Sequence, residues 1–251
     1  LKRYKKVTEF KVLRGRGVEG KIGKEQIIIG NRTLMNEKKI NLKSFENKIS
    51  EFENQGKTVM IVTESKKVIG IISVADTIKD DSIEAISFLN AEGYKTAMIT
   101  GDNERTAKAI AEQVGINTVI ANVLPEEKAK KVEELQQEGF VAFVGDGIND
   151  APALKQSNVG IAMGSGTDIA IEAGDLVLVK GSLIGVVQAI NLSKATFRKI
   201  KQNLFWAFAY NVVAIPVAIV GLLHPIIAEV AMALSSITVV MNANLLRRSK
   251  I

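Results

Sequence analysis

Apolar and polar residues follow three different rhythms along this chain. In residues 1–55 two short strand-like pieces, Thr8–Leu13 and Gln26–Ile29, are separated by Gly15, Gly17 and Gly20 and followed by Gly30. A helical pattern over Leu42–Asn54 comes next, with Phe45, Ile49 and Phe52 at near-helical spacing. A piece this small is expected to be the remainder of a larger domain, ending at residue 56.

From Lys57 short apolar runs take turns with charged helical patterns. Thr58–Thr63 and Val68–Val74 are continuous apolar runs of strand length around the turn Glu64-Ser65-Lys66-Lys67. Three helices follow, Ile78–Glu92, Glu104–Val114 and Glu126–Glu138, each stopped by a glycine (Gly93, Gly115, Gly139). Strands are expected at Thr96–Thr100, Thr118–Ala121, Val141–Val144, Val159–Ala162 and Leu176–Val179, with a further helix at Asp168–Ala173. Alternation of this kind predicts βαβ units and a doubly wound, mostly parallel α/β sheet over residues 57–182.

The last third is different in kind. Asn203–Leu223 and Pro225–Leu246 each reach the roughly twenty residues that a membrane-spanning helix requires. Their only ionisable groups are Tyr210 and Glu229, and His224 lies in the turn between them. Glu229, near the helix start, reads as an interfacial residue. Lys194, Arg198, Lys199 and Lys201 precede the first segment, and Arg247, Arg248 and Lys250 follow the second. Lysine and arginine mark cytoplasmic ends, so both ends of the hairpin within 203–251 are expected inside and the turn outside. The stretch 183–202, helical in pattern, would connect the sheet to this hairpin as a lever.

Charge and composition change the picture little. A formal charge of +6 raises nucleic acid as a partner. The basic residues, however, gather beside the apolar segments and on solvated helices, and no nucleic-acid module is present. The lipid bilayer is the expected partner. There is no cysteine, hence no disulfide and no thiolate metal site in this chain. Leu1–Lys6 is charged with no apolar core after it, so it is no signal peptide, and the chain is expected to have been cut from something longer.

Candidate chemistry lies in loops expected at the carboxyl edge of the sheet. Thr100-Gly101-Asp102 follows a strand and opens a helix, where a hydroxyl and helix-start N–H groups suit a phosphate oxygen. Lys128, one turn into the helix that Pro125 begins, can neutralise a phosphoryl group as a point charge. Asp146 and Asp150, in the run Gly145-Asp146-Gly147-Ile148-Asn149-Asp150, offer hard oxygen ligands for Mg²⁺. Taken singly, these residues also fit helix caps, a solvated lysine and an ordinary turn. Their order and their placement after strands carry the reading.

Thr100-Gly101-Asp102, Pro125 with Lys128, and Gly145 through Leu154 resemble the P-type cation-transporting ATPases, whose phosphorylation domain has the haloacid-dehalogenase-like fold. Asp76-Thr77-Ile78-Lys79 is similar to the hinge of that family. The resemblance implies ATP and Mg²⁺ as cofactors. Asp146 and Asp150 would then serve the metal, and Lys128 and Thr100 the phosphoryl group. Asp102 would lie near the nucleotide and hinge, with Gly101 and Asn149 belonging to the same motifs. Gly15-Arg16-Gly17 and Gly30-Asn31 resemble the glycine motifs of the nucleotide-binding domain, making Gly15, Gly17, Gly30 and Asn31 the nucleotide-binding candidates.

Tyr210-Asn211 and Met232-Ala233-Leu234-Ser235-Ser236 resemble the last two membrane helices of pumps that export Cu(I) or Ag(I). A thioether is a soft ligand that suits Cu(I), and Met232 and Ser236 share a helix face. Tyr210, Asn211, Met232 and Ser236 are thus the candidate ligands of the transported ion; packing and helix glue are the alternative. The resemblance implies an integral protein of the cell membrane with its other domains cytoplasmic, and a copper chaperone among its partners.

Two departures matter. The family's phosphoacceptor loop, Asp-Lys-Thr-Gly, does not occur in this chain, and its one histidine is His224, so the adenine-site histidine is missing. Both are expected upstream of Leu1, with the actuator domain and the Cys-Pro-Cys helix, and this chain by itself is expected to be inactive. A pump for another cation such as Zn²⁺ or Cd²⁺, and a non-catalytic membrane-anchored module holding Mg²⁺ or nucleotide, are the other readings.

Overall fold

The computed structural model describes residues 6–75, 77–221 and 224–248. It divides into two compact units, 1–184 and 185–251. Asp76 of the hinge-like motif, Leu222-Leu223 at the end of the first apolar segment and Lys250 lie outside the described residues.

The first unit opens with a five-stranded antiparallel sheet in sequence order: β1 (Val7–Leu13), β2 (Gly17–Ile22), β3 (Glu25–Gly30), β4 (Thr58–Glu64) and β5 (Lys67–Val74). α1 (Arg32–Glu37) and α2 (Glu46–Asn54) belong to the same layer pair. Leu34, Met35 and Ile49 from these helices join Ile28, Val59, Ile61 and Val68 of the sheet in one buried cluster. On β4 the burial alternates strictly, as a sheet with one covered face requires.

This corrects the expectation for the runs at 58–63 and 68–74, which were to begin the parallel sheet. Instead β4 pairs with β3, and the antiparallel sheet continues through Val74 with no break at residue 56. The physical reason lies in the connection. Ser65 and Lys66 both take positive φ (46° and 68°), the conformation of a two-residue hairpin turn. So short a link joins antiparallel strands only, since a parallel crossover needs a dozen residues or more.

The α/β part follows as α3 (Asp80–Ala91), β6 (Ala97–Ile99), α4 (Glu104–Val114), β7 (Thr118–Ile120), α5 (Lys128–Gln136), β8 (Ala142–Gly145), α6 (Ala151–Gln156), β9 (Val159–Met163), α7 (Asp168–Ala173) and β10 (Leu176–Leu178). All its strand pairs are parallel, in two separate sheets: β6 with β7, and β8-β9-β10. α4 starts where the Asn103 side chain accepts from the N–H groups of Arg105 and Thr106, at 3.0 and 3.1 Å. It stops at Gly115, in the left-handed conformation. Strand β8 is largely half-buried, and it lies at the edge of its sheet among the described residues.

In the second unit the connecting segment and the first apolar segment form one continuous helix, α8 (Ile184–Ile219, 36 residues), with Pro216 inside it. α9 (Pro225–Asn244) begins with Pro at its first position, where the missing N–H costs nothing. Both helices are long and apolar enough to cross a membrane.

Candidate phosphate and nucleotide cleft

Three loops of the first unit meet at the carboxyl ends of β6, β7 and β8. After β6, the Thr100 hydroxyl donates to the Asp102 carboxylate (3.0 Å) and accepts from the Asp102 N–H (3.1 Å). The other Asp102 oxygen accepts from the Thr58 hydroxyl of β4 at 2.9 Å. The Asp102 carbonyl accepts from Asn122 N–H at 2.8 Å, which ties this loop to the one after β7. Asp102 is thus held on both carboxylate oxygens.

Lys128, at the start of α5, forms an ion pair with Asp150 at 2.7 Å. Asp150 is 9% exposed, and its second oxygen accepts from the Gly147 N–H at 3.1 Å. A buried carboxylate of this kind needs just such pairing. The fold-back of the acidic loop depends on Gly145, where a Cβ would lie 2.7 Å from the Asp150 Cβ. Asp146 and Asn149 are exposed at the mouth of the loop, and the Asp146 carbonyl accepts from Thr167 N–H at 3.0 Å. Hard carboxylate oxygens at two positions of one loop suit Mg²⁺, which keeps several waters and needs few protein ligands. Among the described residues there is no cluster of three or more His, Cys, Asp or Glu that could cage a metal.

The glycine motifs form the facing wall. Gly17 and Gly30 are partners across β2 and β3, and the Asn31 amide donates to the Gly15 carbonyl at 3.0 Å. Asn31 also caps α1, accepting from Leu34 N–H at 3.0 Å. At Gly17, with φ +147°, a Cβ would meet the Ile29 carbonyl oxygen at 2.1 Å, so only glycine lets the two backbones approach this closely. Gly15, Asn31, Gly101, Lys128 and Asn149 line one cleft of about 200 Å³. Gly15 and Asn149, 134 positions apart in sequence, therefore share a site.

Arg16, Thr33 and Asn122 also line this cleft and were not singled out in sequence. Arg16 had a signal, its place between two motif glycines. Asn122 has positive φ (57°), which sequence does not display. Thr58 holds Asp102 from 44 positions away and gives no local sign.

Tyr210 lines a groove of about 430 Å³ with Trp206, Val213 and Ala231. Asn211 donates to the Ala207 carbonyl (2.8 Å) and Ser236 to the Met232 carbonyl (3.2 Å), bonds to the preceding turn of their own helices. Met232, in α9, is 74% exposed.

This fold and the loops at its strand ends define the class. The haloacid dehalogenase-like hydrolase family matches residues 2–158, and the chain belongs to it. More particularly, the chain is similar to a copper-exporting P-type ATPase of Staphylococcus saprophyticus, 51% identical over 245 residues, which covers 97% of this chain and 31% of the relative. It thus spans about a third of the length of that relative. Among solved structures it is similar to a zinc-transporting PIB-type ATPase in an E2·Pi state, with TM-score 0.72, 38% identity, and coverage of 96% of this chain and 39% of that one. The catalytic domain of the CPx-ATPase CopB-B matches with TM-score 0.52 and 27% identity, over 75% of this chain and 66% of that one.

Proposed function

We propose that this chain is the C-terminal part of an ATP-driven pump that exports Cu(I), or Ag(I), through an aspartyl-phosphate intermediate. The observation that carries the reading is the single cleft joining the glycine wall to the Lys128–Asp150 pair. The 51% identity to a copper-exporting relative supports the choice of metal.

In this reading the nucleophile is an aspartate supplied by sequence preceding Leu1. Its carboxylate oxygen attacks the γ-phosphorus of ATP, the bond to the β,γ-bridging oxygen breaks, and ADP leaves. The unpaired edges of β6 and β8 suit a parallel strand that would bring this group to the loops. The Thr100 hydroxyl would turn from the Asp102 carboxylate to donate to a γ-phosphoryl oxygen, and Lys128 would turn from Asp150 toward the transferred group. Asp146 and Asp150 would hold Mg²⁺, which when bound neutralises phosphate charge. The glycine wall lets the nucleotide lie against backbone, with Asn31 fixing the loop.

The long helix α8 would carry domain rotation from the sheet into the membrane. Tyr210, Asn211, Met232 and Ser236 then serve the ion from helix faces that meet further helices of the complete pump. Both ends of the hairpin lie in the cytoplasm, and a copper chaperone would deliver the ion there. The 38% identity to a zinc-transporting pump favours Zn²⁺ as the second reading. Uptake of metal into inside-out vesicles containing the complete pump separates the two: ATP is expected to drive Cu(I) in, and uptake of Zn²⁺ without Cu(I) would overturn the assignment.

A further inference from the structure

We infer that Arg16 is a phosphate-recognising residue of the cleft, the cation of the glycine wall that faces Lys128 and makes the site select nucleotides by their phosphates. The inference rests on the reading of this cleft as a nucleotide site. Among the described residues that line the cleft, Arg16 and Lys128 are the ionisable ones, both cationic; the other polar side chains are amides and one hydroxyl. An anion with many acceptor oxygens is the ligand that such a lining recognises.

The two cations are not equivalent. Lys128 is already engaged by the buried Asp150 at 2.7 Å. Among the described residues Arg16 pairs with Glu37, at 3.4 Å, with 31% and 52% of the two side chains exposed. A solvated pair of this kind is weak and is readily exchanged for a phosphate. The guanidinium also offers a planar fork of donors, which a phosphate can engage in two places at once.

Its backbone is fixed independently of its side chain. The Arg16 N–H donates to the Leu13 carbonyl, and its carbonyl accepts from Asn31 N–H, both at 2.9 Å. Gly15 and Gly17 on either side take positive φ, so the loop presents position 16 without help from the side chain there. The cleft, at about 200 Å³, is smaller than the sites that enclose a whole drug-sized ligand, and it matches the phosphate end of a nucleotide.

The test uses the full 251-residue chain in detergent, titrated with ATP, ADP and adenosine. Adenosine is followed at millimolar concentration by NMR shift changes. Arg16→Ala is expected to weaken ATP about tenfold or more and to leave adenosine unchanged, since a charge-assisted bond to phosphate is lost. Arg16→Lys should recover part of the loss, because it restores the charge without the fork. Equal weakening of adenosine and ATP, or ATP affinity unchanged in Arg16→Ala, would overturn the assignment while leaving the nucleotide cleft in place. A wild-type chain that binds none of the three overturns the cleft reading and this inference together. Thermal melts of both variants, expected to match wild type, exclude loss of folding as the cause.

Discussion

Asp150 is a nearly buried carboxylate with one ammonium, Lys128, to answer it. Breaking such a pair from one side leaves a charge without compensation, so Lys128→Met is expected to destabilise the fold by about 3 kcal/mol in denaturant titration. The double change with Asp150→Asn should restore much of that; a fully additive double variant would show that the pair does not interact. A second carboxylate, Asp81, sits where α3 begins, and the Ser182 hydroxyl beside it holds its carboxyl below the ordinary value. A lowered folded-state pKa gives stability that is present above the unfolded value and lost as pH falls through the folded one. Ser182→Ala should therefore raise the Asp81 pKa in a carboxyl NMR titration, and an unmoved midpoint would contradict that cause. The residues of the acidic loop were legible in sequence because glycine, aspartate and strand end are contiguous there. Arg16 and Thr58 were not, because their roles depend on what faces them across the fold.

At the scale of elements, most strands and helices of the α/β part lie within a residue or two of where periodicity places them. The misreading of β4 and β5 has a specific origin. An apolar run such as Val59-Met60-Ile61-Val62 does not reveal whether its neighbours are parallel, whereas the two-residue link after it does. β2 was missed because Gly17 and Gly20 interrupt its pattern, yet Gly17 is what allows β2 to approach β3 so closely. Gly17→Ala is expected to cost well over about 1 kcal/mol in thermal unfolding, since φ is positive and backbone occupies the space. A variant as stable as wild type would mean that the β2–β3 contact is looser than described.

The whole molecule joins an antiparallel layer, an α/β layer and two long apolar helices in one chain, and each kind of rhythm was visible in sequence. What sequence could not display was that Gly15 and Arg16 line one cleft with Lys128 and Asn149, since that depends on how the layers pack. Nor did it display that β6 and β8 end in separate sheets, each with an edge unpaired among the described residues. On the proposed function, this chain supplies Thr100, Lys128, Asp146 and Asp150 to the site, and the nucleophile belongs to sequence outside residues 1–251. Acid-stable phosphate transferred from labelled ATP, measured on this chain and on the complete pump side by side, tests that claim most directly. The expected result is no label on this chain, Cu(I)-dependent label on the complete pump, and loss of that label in Asp146→Asn. Label on an aspartate within residues 1–251, or full labelling of Asp146→Asn, would contradict the account.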